Sequence, residues 1–152
     1  MTDTISTTKS TAIAAIPAGG LCITDHNTPV NATHRKFFAT RAGVRAFDFC
    51  PDCTRAERKD WDLEVAEGRV SKKGSTYTAP GIVVEFATHN ALRAARVKAD
   101  AKVTEAWKTV RYYLIADRSH SAKTEQRAID AHDDAHEKFR YADARATLIE
   151  WT

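Results

Sequence analysis

A chain of 152 residues, 43% hydrophobic and 28% charged, has the composition of a globular protein and the length of one domain or two small ones. Its formal net charge of +3 is too small and too mixed to indicate by itself the concentrated basic face of a nucleic-acid-binding protein. No apolar run approaches the roughly 20 residues of a membrane span. The apolar run at residues 12–16 is short for a secretory signal, and the segment before it contains Asp3, so we expect a cytoplasmic protein.

Composition divides the chain into four segments. Residues 1–20 are rich in Thr, Ser, Ala and Gly and lack apolar periodicity, which predicts a flexible tail. Residues 21–68 have the pattern of a small zinc-finger-like unit made of a β-hairpin and a helix. Residues 69–81 contain two glycines and a proline among basic residues, which is typical of a linker. Residues 82–152 predict a long antiparallel helical hairpin.

Two strands and a helix are expected in the first folded unit. Strand character at residues 32–40 and 44–49, separated by a short turn sequence, predicts the hairpin. A helix is expected at residues 54–67, with Thr54 as its N-cap and a glutamate three residues later completing a capping box. Gly68 is expected to end this helix.

Two long helices are predicted at residues 82–116 and 121–151, joined by a turn at residues 117–120. Because a helix pair is marginal alone, we expect it to pack on the N-terminal unit or on another copy of the chain. The contact stripe expected for the first helix consists of Phe86, Asn90, Ala94, Val97, Ala101, Thr104, Trp107, Val110 or Arg111, and Leu114. The stripe expected for the second consists of Ala122, Glu125, Ile129, His132, His136, Phe139, Asp143 and Ala146.

Cys50 and Cys53 form the most specific motif of the chain, Cys-Pro-Asp-Cys. Two thiolates at this spacing can hold one metal ion through a tight turn, and structural Zn²⁺ needs four ligands at tetrahedral corners. We predict that Cys22 and His26 complete the site, with His34 as the alternative to His26. The order of ligand pair, hairpin, ligand pair and helix predicts a treble-clef-like unit within an α+β fold. The alternatives are free cysteines in a turn or a redox Cys-x2-Cys motif.

A family resemblance rests on two short segments. Residues 44–49 (VRAFDF), the helix after them and residues 66–70 (AEGRV) resemble the N-terminal domain of Lsr2-like nucleoid-associated proteins of actinobacteria and their zinc-binding phage relatives. The resemblance covers about residues 22–73 and implies a dimerising or oligomerising module in a DNA-associated protein. The Arg-Gly-Arg minor-groove segment of that family is missing here, and Lys72-Lys73-Gly74 is its nearest substitute.

A second histidine-containing motif lies in the last predicted helix. His132 and His136 are four residues apart, so both rings would face the same way, with two aspartates beside them. Such a pair could belong to a hydrolytic metal site, although the His-Glu-x2-His arrangement is absent. The alternative is that the two histidines are polar members of the seam between the helices.

Basic and aromatic side chains interleave along the predicted hairpin. On one face of it they could bind phosphates and stack on bases. The alternative is that the aromatic rings form the core and the charges face solvent. The candidate nucleic-acid-binding residues are Arg35, Lys36, Arg41, Arg45, Lys72 and Lys73.

These features favour a small, non-enzymatic, zinc-stabilised regulatory or interaction protein of phage or actinobacterial type. Its expected partners are nucleic acid, or a machine bound to nucleic acid, and a protein partner or further copies of itself, with no membrane involved. If a phage encodes the chain, the compartment is the host cytoplasm. One alternative is a virion-type assembly protein without nucleic-acid contact, and another is a metal-dependent hydrolase built on His132 and His136.

Overall fold

The computed structural model describes residues 20–115 and 121–147, in which the chain forms five strands and three helices of an α+β fold, the predicted class. None of the helices in these two segments combines the length and apolar character needed to cross a membrane. The elements in chain order are β1 (His34–Thr40), β2 (Gly43–Phe49), α1 (Pro51–Ala66), β3 (Ser71–Lys73), β4 (Thr76–Ala79), β5 (Ile82–Thr88), α2 (His89–Ile115) and α3 (Ala122–Arg145).

The five strands join in one antiparallel sheet with the order β2-β1-β5-β4-β3. The register places Arg45, Phe38, Val84, Tyr77 and Lys72 in a single row that crosses all five strands. Because neighbouring side chains of a strand point to opposite faces, the members of this row share one face of the sheet. The row therefore puts a basic residue at each edge and aromatic or aliphatic residues between them.

Helix α1 covers the face on which this row lies. The Trp61 ring centroid is 6.1 Å from that of Tyr77, and Tyr77 makes an edge contact with Phe86 at 6.0 Å. Tyr77 is completely buried, and its hydroxyl donates a hydrogen bond of 2.7 Å to Asp62 of α1. This hydrogen bond, followed by that from Lys72, lowers the pKa of Asp62. Apolar burial and a charge-assisted hydrogen bond thus fix α1 to the sheet.

The opposite face is covered by the first residues of α2 and the last residues of α3. Leu92 of α2 and Ala144 of α3 pack with Phe37, Ala39 and Val44 in one buried cluster. The sheet is therefore covered on both faces, by α1 on one and by two helix ends on the other.

A buried ion pair fixes these helix ends to the sheet. Arg35 is 0% exposed, and its Nε and Nη2 donate to the two carboxylate oxygens of Asp48 at 2.9 and 3.2 Å. Its Nη1 donates to the carbonyls of Arg145, at 2.9 Å, and Thr147, at 2.5 Å, at the end of α3. His89, the first residue of α2, is also buried, and its Nε2 lies 2.9 Å from the Asp48 carboxylate. A cation at this position complements the negative end of the α3 dipole.

The start of α1 differs from the prediction, whereas its end does not. Cys50 is the N-cap, because its sulfur accepts a hydrogen bond of 3.4 Å from the Cys53 N–H. Thr54 lies inside the first turn, and its hydroxyl donates to the Cys50 carbonyl at 2.9 Å. Pro51 follows the cap, where its missing N–H is not needed. The predicted stop is confirmed, since Gly68 has a φ of +79° that favours glycine.

Residues 69–81 are not a linker, and residues 82–88 are not helical. Strands β3 and β4 form a hairpin with Gly74, at a φ of +62°, in its turn. Strand β5 lies in the middle of the sheet, between β1 and β4. A short, mostly apolar run fits a buried strand as well as a helix, and the β-branched residues at its start favour the strand.

Helices α2 and α3 are shorter than predicted. Helix α2 begins at His89, and helix α3 ends at Arg145. They pack against each other, with an ion pair of 2.8 Å between Arg96 and Asp143. Residues 1–19 of the predicted tail, the predicted turn and the predicted end of the second helix lie outside the described residues.

The stripe predicted for α3 is correct in part: its six members from Glu125 to Asp143 are half-buried, but Ala122 is exposed, Ala146 lies just beyond the helix, and the buried Ala128 was not predicted. The stripe predicted for α2 is wrong, because most of it faces solvent, with Val97 70% exposed. Several alanines in α2 make alternative stripes equally apolar, so composition could not choose between them. The stripe of buried and half-buried residues consists of Leu92, Arg96, Ala99, Val103, Ala106, Val110 and Tyr113.

Candidate metal centre

A loop ahead of β1, residues 20–33, folds back onto the end of β2; we call it the metal loop. The Cys22 N–H donates to the Val30 carbonyl at 2.8 Å, which closes the loop on itself. The Ile23 N–H donates to the Asp48 carbonyl at 2.9 Å, which ties the loop to β2. These two bonds place Cys22 beside the junction between β2 and α1.

Four potential ligand atoms converge at this junction. One atom each from Cys22, His26, Cys50 and Cys53 lie within 4.8 Å of one another. Nε2 of His26 is 3.5 Å from Sγ of Cys53 and 3.9 Å from Sγ of Cys50. In a tetrahedral zinc site the nitrogen–sulfur edge is about 3.5 Å and the sulfur–sulfur edge about 3.8 Å. The arrangement is therefore compatible with one metal ion, and the four residues are those that the sequence predicted.

The thiols at this junction influence one another. Burial raises the pKa of Cys22, but hydrogen bonds from the Cys50 backbone, His26 and Thr24 outweigh burial and lower that pKa to about 6. For Cys53 a hydrogen bond with Thr24 lowers the pKa, but the Cys50 sulfur, burial and Cys22 together raise it. Cys22 therefore loses its proton more readily than an ordinary cysteine, and Cys53 loses its proton less readily, as expected of thiols that lie close together. A metal ion bound here would stabilise all the thiolates together.

Thr24 is a residue of the site that sequence reasoning missed. Hydrogen bonding by its backbone and side chain lowers the pKa of Cys22, and hydrogen bonding by its side chain lowers the pKa of Cys53. Outer hydrogen bonds of this kind orient metal ligands and adjust their basicity. The available signal was the Cys-Ile-Thr spacing, which places a hydroxyl two residues after the first ligand.

His26, rather than His34, belongs to the ligand group. Nδ1 of His34 lies 2.7 Å from the hydroxyl of Thr33, at the start of β1. His34 occupies the α1 side of the sheet, since it alternates with the buried Arg35 along the strand. The choice between the two histidines depends on how the metal loop folds back, which no local sequence signal reveals.

His132 and His136 do not form a comparable group. Their ring centroids are 6.2 Å apart, and the His132 ring lies 5.6 Å from that of Trp107 on α2. Within residues 20–115 and 121–147, the cysteine-containing cluster is the one group of three or more potential ligands at metal-binding distances. The two histidines therefore lie in the seam between the helices.

Arg35 and Lys36 do not contribute to an exposed basic surface. Arg35 is completely buried, and Asp48 and two backbone carbonyls occupy its nitrogen atoms, so it is withdrawn from the predicted nucleic-acid contacts. Lys36 pairs with Glu57 of α1 at 2.9 Å, and its side chain is 14% exposed. The alternation of residues along β1 could not predict that Arg35 and Lys36 are buried, because their acidic partners lie on β2 and α1.

The other four candidate residues fall into two groups at opposite edges of the sheet. Arg41 and Arg45 are exposed on the β1–β2 hairpin. Lys72 and Lys73 lie on β3, four strand spacings or about 19 Å from β2. Lys72 also pairs with Asp62 at 2.9 Å, and this hydrogen bond raises the pKa of Lys72. The structure therefore does not bring the predicted residues together in one surface.

Comparisons of this chain with protein-family models, with curated proteins and with solved structures give no match.

Proposed function

We propose that this protein is a non-catalytic binding module whose N-terminal half is held together by a structural zinc ion. The observation that carries the proposal is the convergence of ligand atoms from Cys22, His26, Cys50 and Cys53. Three thiolates and one imidazole are a typical zinc donor set. Four protein ligands also leave no coordination position open to a substrate, which favours a structural role over a catalytic one.

The order of the elements supports a treble-clef-like description of this unit. The first two ligands come from the metal loop, the β1–β2 hairpin follows, and the last two ligands lie at the N-cap and first turn of α1. The positive end of the helix dipole favours thiolates at these last two positions. A zinc ion would therefore join three elements that lie next to one another in sequence.

The test is the zinc content of the purified chain, measured by elemental mass spectrometry together with its thermal unfolding. We expect about one zinc ion per chain, lost in Cys53→Ala together with stability. His34→Ala is the matched control, because it removes a neighbouring imidazole outside the ligand group, and it should retain the metal. Metal-free protein prepared without chelator, or equal zinc loss in both variants, would contradict the proposal.

Nucleic acid is the partner class that we propose for this module. Arg41 and Arg45 support it, because both are exposed on the hairpin that adjoins the metal ligands. The likeness of residues 22–73 to nucleoid-associated proteins points in the same direction. Two cations contact about two phosphates, so we expect a weak affinity that is strongest at low salt.

Duplex DNA binding over a range of salt concentrations tests this contact. In Arg41→Gln/Arg45→Gln the slope of log K against log salt should flatten by about 1.8, at about 0.9 per phosphate. The double variant Lys123→Gln/Arg127→Gln removes the same charge from exposed positions of α3 and should bind as the unmodified chain does. No binding at low salt, or equal weakening of both doubles, would exclude the hairpin contact and leave a protein partner.

A further inference from the structure

Asp48 is the residue at which the candidate metal centre and the helix ends on the sheet meet. Its backbone carbonyl accepts a hydrogen bond of 2.9 Å from the N–H of Ile23, the residue that follows the potential ligand Cys22. Cys50, a second potential ligand, comes two residues after Asp48, as the N-cap of α1. A metal ion held by both cysteines would therefore close a short ring that contains Asp48.

The side chain of Asp48 points the other way, to the ends of α2 and α3. Its carboxylate accepts hydrogen bonds from Arg35 at 2.9 and 3.2 Å and lies 2.9 Å from Nε2 of His89, the first residue of α2. Arg35 in turn donates to the carbonyls of Arg145 and Thr147 at the end of α3. The Arg35 side chain is 0% exposed and that of Asp48 13%, so solvent ions screen this pair little.

A backbone connection lies beside the carboxylate. The carbonyl of Thr33, at the end of the metal loop, accepts a hydrogen bond of 2.9 Å from the His89 N–H. The Thr33 N–H donates to the carbonyl of Phe49 on β2 at 3.0 Å. The start of α2 is therefore attached to the metal loop through the backbone of His89 and to β2 through its imidazole.

The position of Asp48 depends on the metal loop, because β2 is an edge strand of the sheet. Strand β1 pairs with one side of β2, and at Asp48 the loop binds the other side through Ile23. Apolar burial holds the loop weakly, since Leu21 and Ile23 are more than half exposed. Segments with few buried contacts open before the rest of a fold. Without a metal ion, the loop should therefore separate from β2 readily.

We propose that zinc occupancy of the cysteine cluster controls how firmly the ends of α2 and α3 are held on the sheet. When zinc is bound, the loop is closed and Asp48 holds Arg35 and His89. When zinc is lost, the loop opens, the end of β2 loosens, and the helix ends leave the apolar cluster beneath them more often. A contiguous set of hydrogen bonds with two arrangements carries this coupling. The inference rests on the proposed function, because it requires zinc at that cluster.

Amide hydrogen exchange of the full chain, measured by mass spectrometry with zinc bound and after its removal by a chelator, tests the proposal. We expect residues 139–147, at the end of α3, to exchange about tenfold faster without zinc. Residues 71–79, which form the β3–β4 hairpin, are the internal reference, because Tyr77 packs on Trp61 of α1 and not on the Asp48 network. They should exchange about equally fast in both states.

Two carboxylate variants test the route of the coupling. Asp48→Asn replaces the charged partner of Arg35 with a neutral amide, so zinc should no longer alter exchange at residues 139–147. Glu85→Gln is the matched control, because Glu85 also pairs with the end of α3, through Arg145, but lies on β5. This control should loosen the end of α3 in both states and keep the effect of zinc.

Zinc-dependent exchange confined to the metal loop and the start of α1 would overturn the proposal. Equal acceleration of every segment would also overturn it, because that result indicates global unfolding. An equal effect of zinc in Asp48→Asn and Glu85→Gln would exclude the route through Asp48, and if Asp48→Asn does not fold, the unmodified chain decides. Zinc content is measured on the same samples, so a chain that binds no zinc, which would contradict the proposed function as well, is recognised separately.

Discussion

The guanidinium of Arg35 joins parts of the chain that lie more than a hundred residues apart in sequence. It neutralises Asp48 and binds two carbonyls at the end of α3, at sequence separations of 110 and 112 residues. A buried ion pair adds little net stability compared with apolar packing, but losing one partner leaves the other as an uncompensated charge. An arginine in an alternating strand looks like a surface residue, so the sequence alone could not identify this role.

We expect Arg35→Met to lower the free energy of unfolding by about 3–5 kcal/mol, because it leaves Asp48 buried without its main cation. Arg45→Met is the matched control on the neighbouring strand, where the side chain is exposed, and it should change stability by at most about 0.5 kcal/mol. Chemical denaturation of the metal-loaded protein measures both values. Equal effects of the two substitutions would show that the buried network contributes nothing particular.

At the level of elements, local signals predicted β1, β2 and α1, whereas β5 and the contact face of α2 were missed. The hairpin and helix have their own markers, including the alternation of the strands and Gly68 at the helix end. The identity of β5 as a central strand depends on its pairing with β1, about fifty residues earlier in the chain. Local signals and long-range folding also divide the prediction of the metal ligands. Cys50 and Cys53 form a local motif, but the choice of His26 depends on how the metal loop closes.

Gly68 offers a test of the end of α1. Gly68→Ala should cost about 1 kcal/mol, because its φ of +79° disfavours a side chain. An added Cβ would meet no atom within 4 Å, so the backbone conformation accounts for the whole cost. Gly68→Asn should cost less, because asparagine tolerates this conformation better. Thermal unfolding compares the two variants, and a larger loss in Asn than in Ala would contradict this explanation.

At the scale of the whole molecule, the metal loop is attached to the sheet with little apolar packing. Ala32 is its one buried side chain, while Leu21 and Ile23 are 57% and 59% exposed. Apolar burial therefore does little to hold this loop on the sheet. Three backbone hydrogen bonds anchor it: Ile23 and Thr33 donate to two carbonyls of β2, and the Thr33 carbonyl accepts from His89 of α2. A metal ion bound by residues of the loop and of α1 would supply the missing attachment.

Zinc should therefore raise the melting temperature. At a thousandfold excess of free zinc over its dissociation constant, the stabilisation is about 4 kcal/mol. For a chain of this size that corresponds to about 8–16 °C. The shift should shrink as the pH falls, because protons compete with zinc for the thiolates and the imidazole. His26→Ala should show no zinc-dependent shift, and equal melting temperatures with zinc and with chelator would contradict the prediction.

The distant partners of Arg35 also have a consequence for the order of synthesis. The metal loop, the hairpin and α1 are complete in the chain long before the ribosome reaches Arg145 and Thr147. At about 5–20 residues per second, the 110 residues between Arg35 and the end of α3 take about 5–20 s to make. During that time the metal loop can close on the hairpin and α1, but one face of the sheet and the Arg35 guanidinium lack their final partners. A chain released before residue 147 would keep that face open, so only a chain translated to that point can complete the fold.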